Sequence, residues 1–197
     1  MSLQLDMLRH GETESGGGFR GRLDDVLTAH GWQQLRAAVI DREPWDRIIS
    51  SPLRRCAAFA AELAEQQSLS LELEPDLREL DFGEWEGRSA ADLMVEDSDA
   101  LGRFWSDPYG FTPPGAEPVL AFETRVLKAV ERLVDRCAGE HVLLVTHGGV
   151  MRLLLAHARG LPREQLLQVE VRHGELIQLR IGFTDATLWL EEQCSPF

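Results

Sequence analysis

The sequence predicts an α/β protein, a three-layer α/β/α sandwich with a mostly parallel central sheet and a small inserted cap. Three observations predict it. Short apolar runs that read as strands alternate with stretches of helical spacing. One run, Val142-Leu143-Leu144-Val145, is continuously apolar, as expected of a parallel strand covered on both faces. Three strands end in polar residues (Arg9-His10, Ser50-Ser51 and Thr146-His147), and ligands of open α/β sheets bind beyond the carboxyl ends of strands.

Residues 3–8 are the first strand, followed by a loop holding Gly16, Gly17, Gly18 and Gly21. Thr28 fits a helix N-cap, its hydroxyl accepting a first-turn amide, and Leu35, Ala38 and Val39 share one face behind it. Arg47-Ile48-Ile49-Ser50 is a second strand. Ser51 as N-cap and Pro52 at the first helical position then open a helix through about Ala64.

Helical spacing returns in Val126, Leu127, Val130, Leu133 and Val134, within residues 123–136. After the strand at 142–145, an apolar helix runs to about Arg159 and is stopped by Gly160 and Pro162. Residues 176–181 and 187–190 close the sheet as a strand pair around Gly182. Residues 92–118, with Trp105, Pro108, Tyr109, Pro113 and Pro114, break the alternation. They are expected to form the cap, inserted into a single domain spanning residues 1–197.

Composition narrows the class. Hydrophobic residues make up 44% of the 197 and charged ones 27%, ordinary for a globular domain. No run reaches the roughly 18–20 apolar residues of a membrane span, and Asp6, Arg9 and Glu12 interrupt any secretory core. The expected location is cytoplasmic. Cys56, Cys137 and Cys194 form no paired motif and read as free thiols, with Cys56 and Cys137 packed in the core. A net charge of −13 argues against nucleic acid or an anionic membrane as partner. A local arginine cluster still permits a small anion, because charges beyond about 8 Å are screened at physiological salt.

The strand-end rule places Arg9, His10, Arg55 and His147 around one crevice. Guanidinium groups bind phosphoryl oxygens in pairs, and imidazole can attack phosphorus or donate a proton. Helix N-termini after Ser51 and His147 add positive dipole ends. The crevice therefore suits a phosphate.

Five motifs occur in order. They are Leu8-Arg9-His10-Gly11-Glu12-Thr13; Gly21, Asp24, Leu27-Thr28 and Gly31; Ser50-Ser51-Pro52-Leu53-Arg54-Arg55; Leu77 to Gly87, with Glu79, Phe82-Gly83 and Trp85-Glu86-Gly87; and Val145-Thr146-His147-Gly148-Gly149 with Arg152. Together they resemble the histidine phosphatase superfamily, which includes the phosphoglycerate mutases. The resemblance implies a ping-pong phosphomonoesterase needing no metal or cofactor. His10 would be the nucleophile, Arg9, Arg55 and His147 the phosphate ligands, and Glu79 the proton donor. Arg54 is the alternative to Arg55, and Asp81, Glu84 or Glu86 the alternatives to Glu79.

The sequence departs from the family pattern at Gly16, where several relatives carry Asn, and at Gly18, often Arg. Arg20 is expected to reach the phosphate edge in compensation. Gly115-Ala116-Glu117-Pro118 replaces a G-G-E-S stretch beside the cap. Trp105 and Tyr109 are candidates to stack on substrate, whereas His30, His141, His157 and His173 carry no motif and read as surface or helix-end residues.

The short cap leaves little room for a mutase insertion, which favours hydrolysis. It resembles the alpha-ribazole phosphatase branch, implying alpha-ribazole 5′-phosphate as substrate. A broad-specificity sugar-phosphate or fructose-2,6-bisphosphatase-like enzyme, or a phosphoglycerate mutase, is the rival. Two other classes compete: zinc-assisted hydrolysis on His10, His147 and Glu79, which Arg9 and Arg55 would oppose, and a silent phosphate-binding module. The expected partner is a small phosphate ester, and a homodimer is allowed for.

Overall fold

The computed structural model describes residues 2–193, so Cys194 lies outside the described residues. Strands β1 (Ser2–Arg9), β2 (Arg47–Ser50), β3 (Ser70–Leu73) and β4 (His141–Thr146) are parallel. Strands β5 (Leu176–Thr184) and β6 (Thr187–Glu192) run antiparallel beyond β1. The sheet order is β3-β2-β4-β1-β5-β6. Among the described residues six α-helices accompany it: α1 (Ala29–Val39), α2 (Arg54–Gln67), α3 (Ala90–Glu96), α4 (Ser98–Ser106), α5 (Val119–Arg136) and α6 (Gly148–Ala158).

Side-chain alternation along the strands sorts the core into two layers. Leu5 and Met7 of β1, Ile49 of β2 and Leu144 of β4 pack with Phe122, Val126 and Val130 of α5 and Met151 and Leu154 of α6. Their neighbours Leu8, Ile48, Leu143 and Val145 pack on the opposite face, with Leu35 of α1 and Cys56, Phe59 and Leu63 of α2. This is the three-layer sandwich. Val142 to Val145 are all 0% exposed. At roughly 1.5–3 kcal/mol per fully buried large aliphatic side chain, that burial favours β4 at the sheet centre, where its end can carry His147.

Thr28 caps α1 as expected, its side chain accepting the Gly31 amide at 2.9 Å. The helix expected from Ser51-Pro52 instead begins at Arg54, with Leu53 as a cap residue that makes no side-chain bond. The reason is tertiary. The Ser51 hydroxyl is taken by His147 at 2.7 Å, and Asp24 Oδ1 accepts the Arg54 amide at 2.6 Å from thirty residues upstream.

The closing strand pair does not turn around Gly182, which lies inside β5 opposite Trp189. The chain reverses at Asp185-Ala186, both left-handed at φ 49° and 60°, the two-residue geometry that matches strand twist. In the expected cap, α3 and α4 are joined at Asp97, whose side chain caps α4 through the Ala100 amide at 3.0 Å. Leu93, Leu101 and Phe104 anchor both helices in the α5–α6 core layer. No helix among the described residues is long and apolar enough to cross a membrane.

Candidate active site

A cleft of about 500 Å³ opens beyond the ends of β1 and β4, with Arg9, His10, Glu79, Arg152 and His173 on its polar side. Phe19, Phe82, Phe104, Trp105, Phe122 and Leu166 line the other. Net charge is −13 for the whole chain, yet five cationic or imidazole side chains, Arg9, His10, Arg20, Arg152 and His173, line the cleft.

His10 follows β1, its amide fixed to Thr146 O at 3.0 Å. Its Nδ1 lies 2.8 Å from Gly11 O. A carbonyl only accepts, so Nδ1 carries the hydrogen and Nε2 keeps a lone pair. Burial first, and then the Arg55 guanidinium, hold its pKa well below the usual histidine value. The ring is neutral at neutral pH and has a free basic nitrogen.

Beneath His10 lie Arg55 and His147, both 0% exposed, and neither lines the cleft. The ring centroids of His10 and His147 are 5.4 Å apart. Arg55 Nε donates to His147 Nδ1 at 3.3 Å. His147 Nε2 must then carry the hydrogen that bonds Ser51 Oγ at 2.7 Å. Burial and then Arg55 also keep His147 neutral. The remaining Arg55 donors reach the carbonyls of Leu23 and, at 2.8 Å, of Gly21.

The loop that offers those carbonyls gives its amides to Glu86. Glu86 accepts from Gly21 at 2.9 Å, Arg22 at 3.0 Å and Leu23 at 3.2 Å, and from Phe82 at 3.0 Å. Only glycine fits at position 21, because a Cβ there would stand 1.9 Å from Leu80 O. The loop is thus gripped from both sides, amides by a carboxylate and carbonyls by a guanidinium.

Glu79 lines the cleft and accepts the amides of Leu80 at 3.0 Å and Gly149 at 2.9 Å. A Cβ at position 149 would sit 2.1 Å from its Oε1, so the contact with the first turn of α6 requires glycine. Arg125 of α5 holds the Glu79 carbonyl at 2.9 Å while paired in two bonds with Glu117, at 2.7 and 2.9 Å. Of the alternatives, Glu86 is committed to four amides, Asp81 accepts Gly83 at 2.8 Å, and Glu84 faces solvent. Arg54 is exposed, whereas its neighbour Arg55 points inward.

Arg9 donates through Nη1 to Val171 O at 2.7 Å and through Nη2 to His173 Nε2 at 3.0 Å. Its Nε is buried and has no protein acceptor. Arg152 donates to Val169 O at 2.9 Å. Arg20 lines the cleft, but its guanidinium bonds Asp25 at 2.8 Å, Gly16 O at 2.9 Å and Ser15 O. Trp105 is in the cleft wall, 44% exposed. Tyr109 is elsewhere: it lines a second cavity with Glu123, His157 and Arg163, the last stacked over its ring at 4.7 Å.

Sequence reasoning missed several neighbours. His173 is exposed, in line with a surface or helix-end place, but its ring also stands 5.4 Å from that of His10, which no motif signals. Arg152 was visible as the last residue of its motif. Ser51 was read as a cap, and Arg125, mid-helix, gave no signal. Among the described residues no three His, Cys, Asp or Glu side chains converge as a metal would require. Cys56 and Cys137 are buried and free.

The profile described as "Histidine phosphatase superfamily (branch 1)" matches residues 5–190. The adenosylcobalamin/alpha-ribazole phosphatase of Escherichia coli is 30% identical over 190 residues, 94% of each chain. A glucosyl-3-phosphoglycerate phosphatase of Mycolicibacterium vanbaalenii is 35% identical over 173 residues, covering 81% of this chain and 75% of the relative. The crystal structure of the alpha-ribazole phosphatase from Shigella flexneri superposes with a TM-score of 0.79 at 30% identity, covering 98% of this chain and 96% of the other.

Proposed function

Since the chain belongs to the histidine phosphatase superfamily and is a phosphatase of small phosphate esters, we propose that it works through a phosphohistidine on His10. The observation that carries this reading is the state of the ring: neutral, with Nδ1–H tied to Gly11 O and Nε2 free at the cleft. Nε2 attacks phosphorus in line as the ester P–O bond breaks. Glu79, held at two amides, gives its proton to the leaving alkoxide. Water then attacks phosphorus as the N–P bond breaks back to His10 Nε2, Glu79 takes up the proton of that water, and phosphate leaves.

Arg9 meets the phosphoryl oxygens first, since its Nε has no protein acceptor. Arg55 and His147 support from below, and His147 joins the phosphate by exchanging its Ser51 bond for one to an oxygen. Arg20 serves the phosphate edge by holding the carbonyls of the glycine loop. The proposed location is the cytoplasm.

Alpha-ribazole 5′-phosphate is the substrate we favour. Relatives named for that activity align along nearly the whole chain, and the aromatic wall of Phe19, Phe82, Phe104 and Trp105 suits a leaving group with a flat apolar ring. A sugar phosphate is the second reading, favoured by the glucosyl-3-phosphoglycerate phosphatase relative. The test compares alpha-ribazole 5′-phosphate, 3-phosphoglycerate and fructose 2,6-bisphosphate, together with acid-labile phosphoprotein trapped in a quenched reaction. The expected result is a kcat/KM lead of about a hundredfold for the first and a trapped phosphoenzyme that disappears in His10→Ala. Equal rates would favour a broad-specificity enzyme, and no turnover of any ester would leave only a binding module.

A further inference from the structure

Residues 171–174 close over the Arg9-His10 dipeptide from two directions. The Gly174 amide donates to Arg9 O at 3.2 Å and His10 O at 3.3 Å, fixing the main chain. Val171 O and His173 Nε2 take one hydrogen each from the two terminal nitrogens of Arg9, at 2.7 and 3.0 Å. An arginine side chain has many rotamers, and an unanchored one would sweep the cleft mouth. Here two acceptors on one short segment hold the plane of the guanidinium.

We propose that His173 is a positioning residue, which presents the Arg9 guanidinium to the phosphoryl group by accepting its Nη2 hydrogen. The inference rests on the reading of Arg9 as a phosphate ligand. A guanidinium only donates, so the bond exists only while Nε2 of His173 has its lone pair. Partial burial first and Arg9 second bring the His173 pKa to about 4, which keeps the acceptor available at neutral pH. Glu12, the carboxylate that acts in the opposite sense, is outweighed. The side chain is exposed at the mouth and packs in neither core cluster, so its removal leaves the fold standing.

The experiment is a double-mutant cycle of His173→Ala and Arg9→Ala, read as kcat/KM, unfolding temperature and the affinity for inorganic phosphate by titration calorimetry. His173→Ala alone should lower kcat/KM about tenfold, through KM and phosphate affinity, with no change in unfolding temperature. His173→Asn, whose amide oxygen can accept the same hydrogen, should stay within about threefold of the parent. In the Arg9→Ala background, His173→Ala should change neither kcat/KM nor phosphate affinity.

A tenfold loss that persists without Arg9 would overturn the proposal, as would no loss in its presence or an Asn variant as poor as Ala. The calorimetric cycle decides if turnover of Arg9→Ala is too slow to follow. Should Arg9→Ala alone leave rate and phosphate affinity intact, the reading of Arg9 fails instead, and the two failures are distinct.

Discussion

The cleft has a floor and a mouth, built from the same residue types and bonded differently. On the floor, Arg55 and His147 are wholly buried, and their donors go to Leu23, Gly21 and Ser51. At the mouth, Arg9 retains a buried Nε–H with no protein acceptor, and His173 is open to solvent. The floor spends its hydrogen bonds on the protein, and its Arg55 adds to burial in keeping His10 neutral. The mouth leaves one donor, the Arg9 Nε–H, with no protein acceptor. Arginine and histidine therefore mean different things here according to how much of their bonding capacity is already committed.

The division predicts that mouth substitutions change rate alone, whereas floor substitutions change both rate and stability. Glu79→Gln, at the mouth, should lower kcat by about 10²–10⁴-fold for an alkyl ester, with little change in unfolding temperature. For p-nitrophenyl phosphate, whose leaving group needs no proton, the loss should be much smaller. An equal loss for both esters would remove Glu79 as the acid. Arg55→Ala, on the floor, strips the carbonyls of Gly21 and Leu23 of their partner and should cost about 3 kcal/mol in urea unfolding. An unchanged midpoint there would erase the distinction between floor and mouth.

A subtler test uses pH. Both His10 and His147 have folded pKa values depressed below that of the unfolded chain, near 6.5. The unfolded state therefore binds more protons below that value, and stability falls as pH drops from about 6.5. The slope should approach 1.4 kcal/mol per unit for each ring, about the value of one proton. Urea titrations at successive pH values should show His147→Asn flattening the profile; a profile already flat in the parent would mean the rings are not held neutral. The smallest effect belongs to the apolar wall. Trp105→Ala should raise KM by about two- to tenfold for an aromatic ester and leave a small aliphatic ester untouched. Identical shifts for the two would take Trp105 out of substrate recognition.

Most of the scaffold was legible because it is local. The apolar runs of β1, β2 and β4 and the Thr28 cap depend on residues close in sequence, and the strand-end rule put Arg9, His10, Arg55 and His147 at one edge. What escaped was non-local. The start of α2 could not be read from Ser51-Pro52, since its cap comes from Asp24 and the hydroxyl of Ser51 answers to His147. The short edge strand β3, only partly covered, lacks the apolar run that reveals buried strands. The turn at Asp185-Ala186 has no glycine to mark its left-handed backbone. His173 sits outside every motif, and Tyr109, a stacking candidate by its place in the expected cap, lines a second cavity with Glu123 instead.

The grip of Glu86 on residues 21–23 bears on how the chain matures during synthesis. Arg55 leaves the ribosome before the carboxylate that orders its carbonyl partners, and both precede His147 and the 171–174 segment. A nascent chain thus carries His10, the proposed nucleophile, before the residues that come to surround it are made. The surroundings of His10 are complete only once β4 and the segment leading into β5 have docked, so they belong to the finished fold.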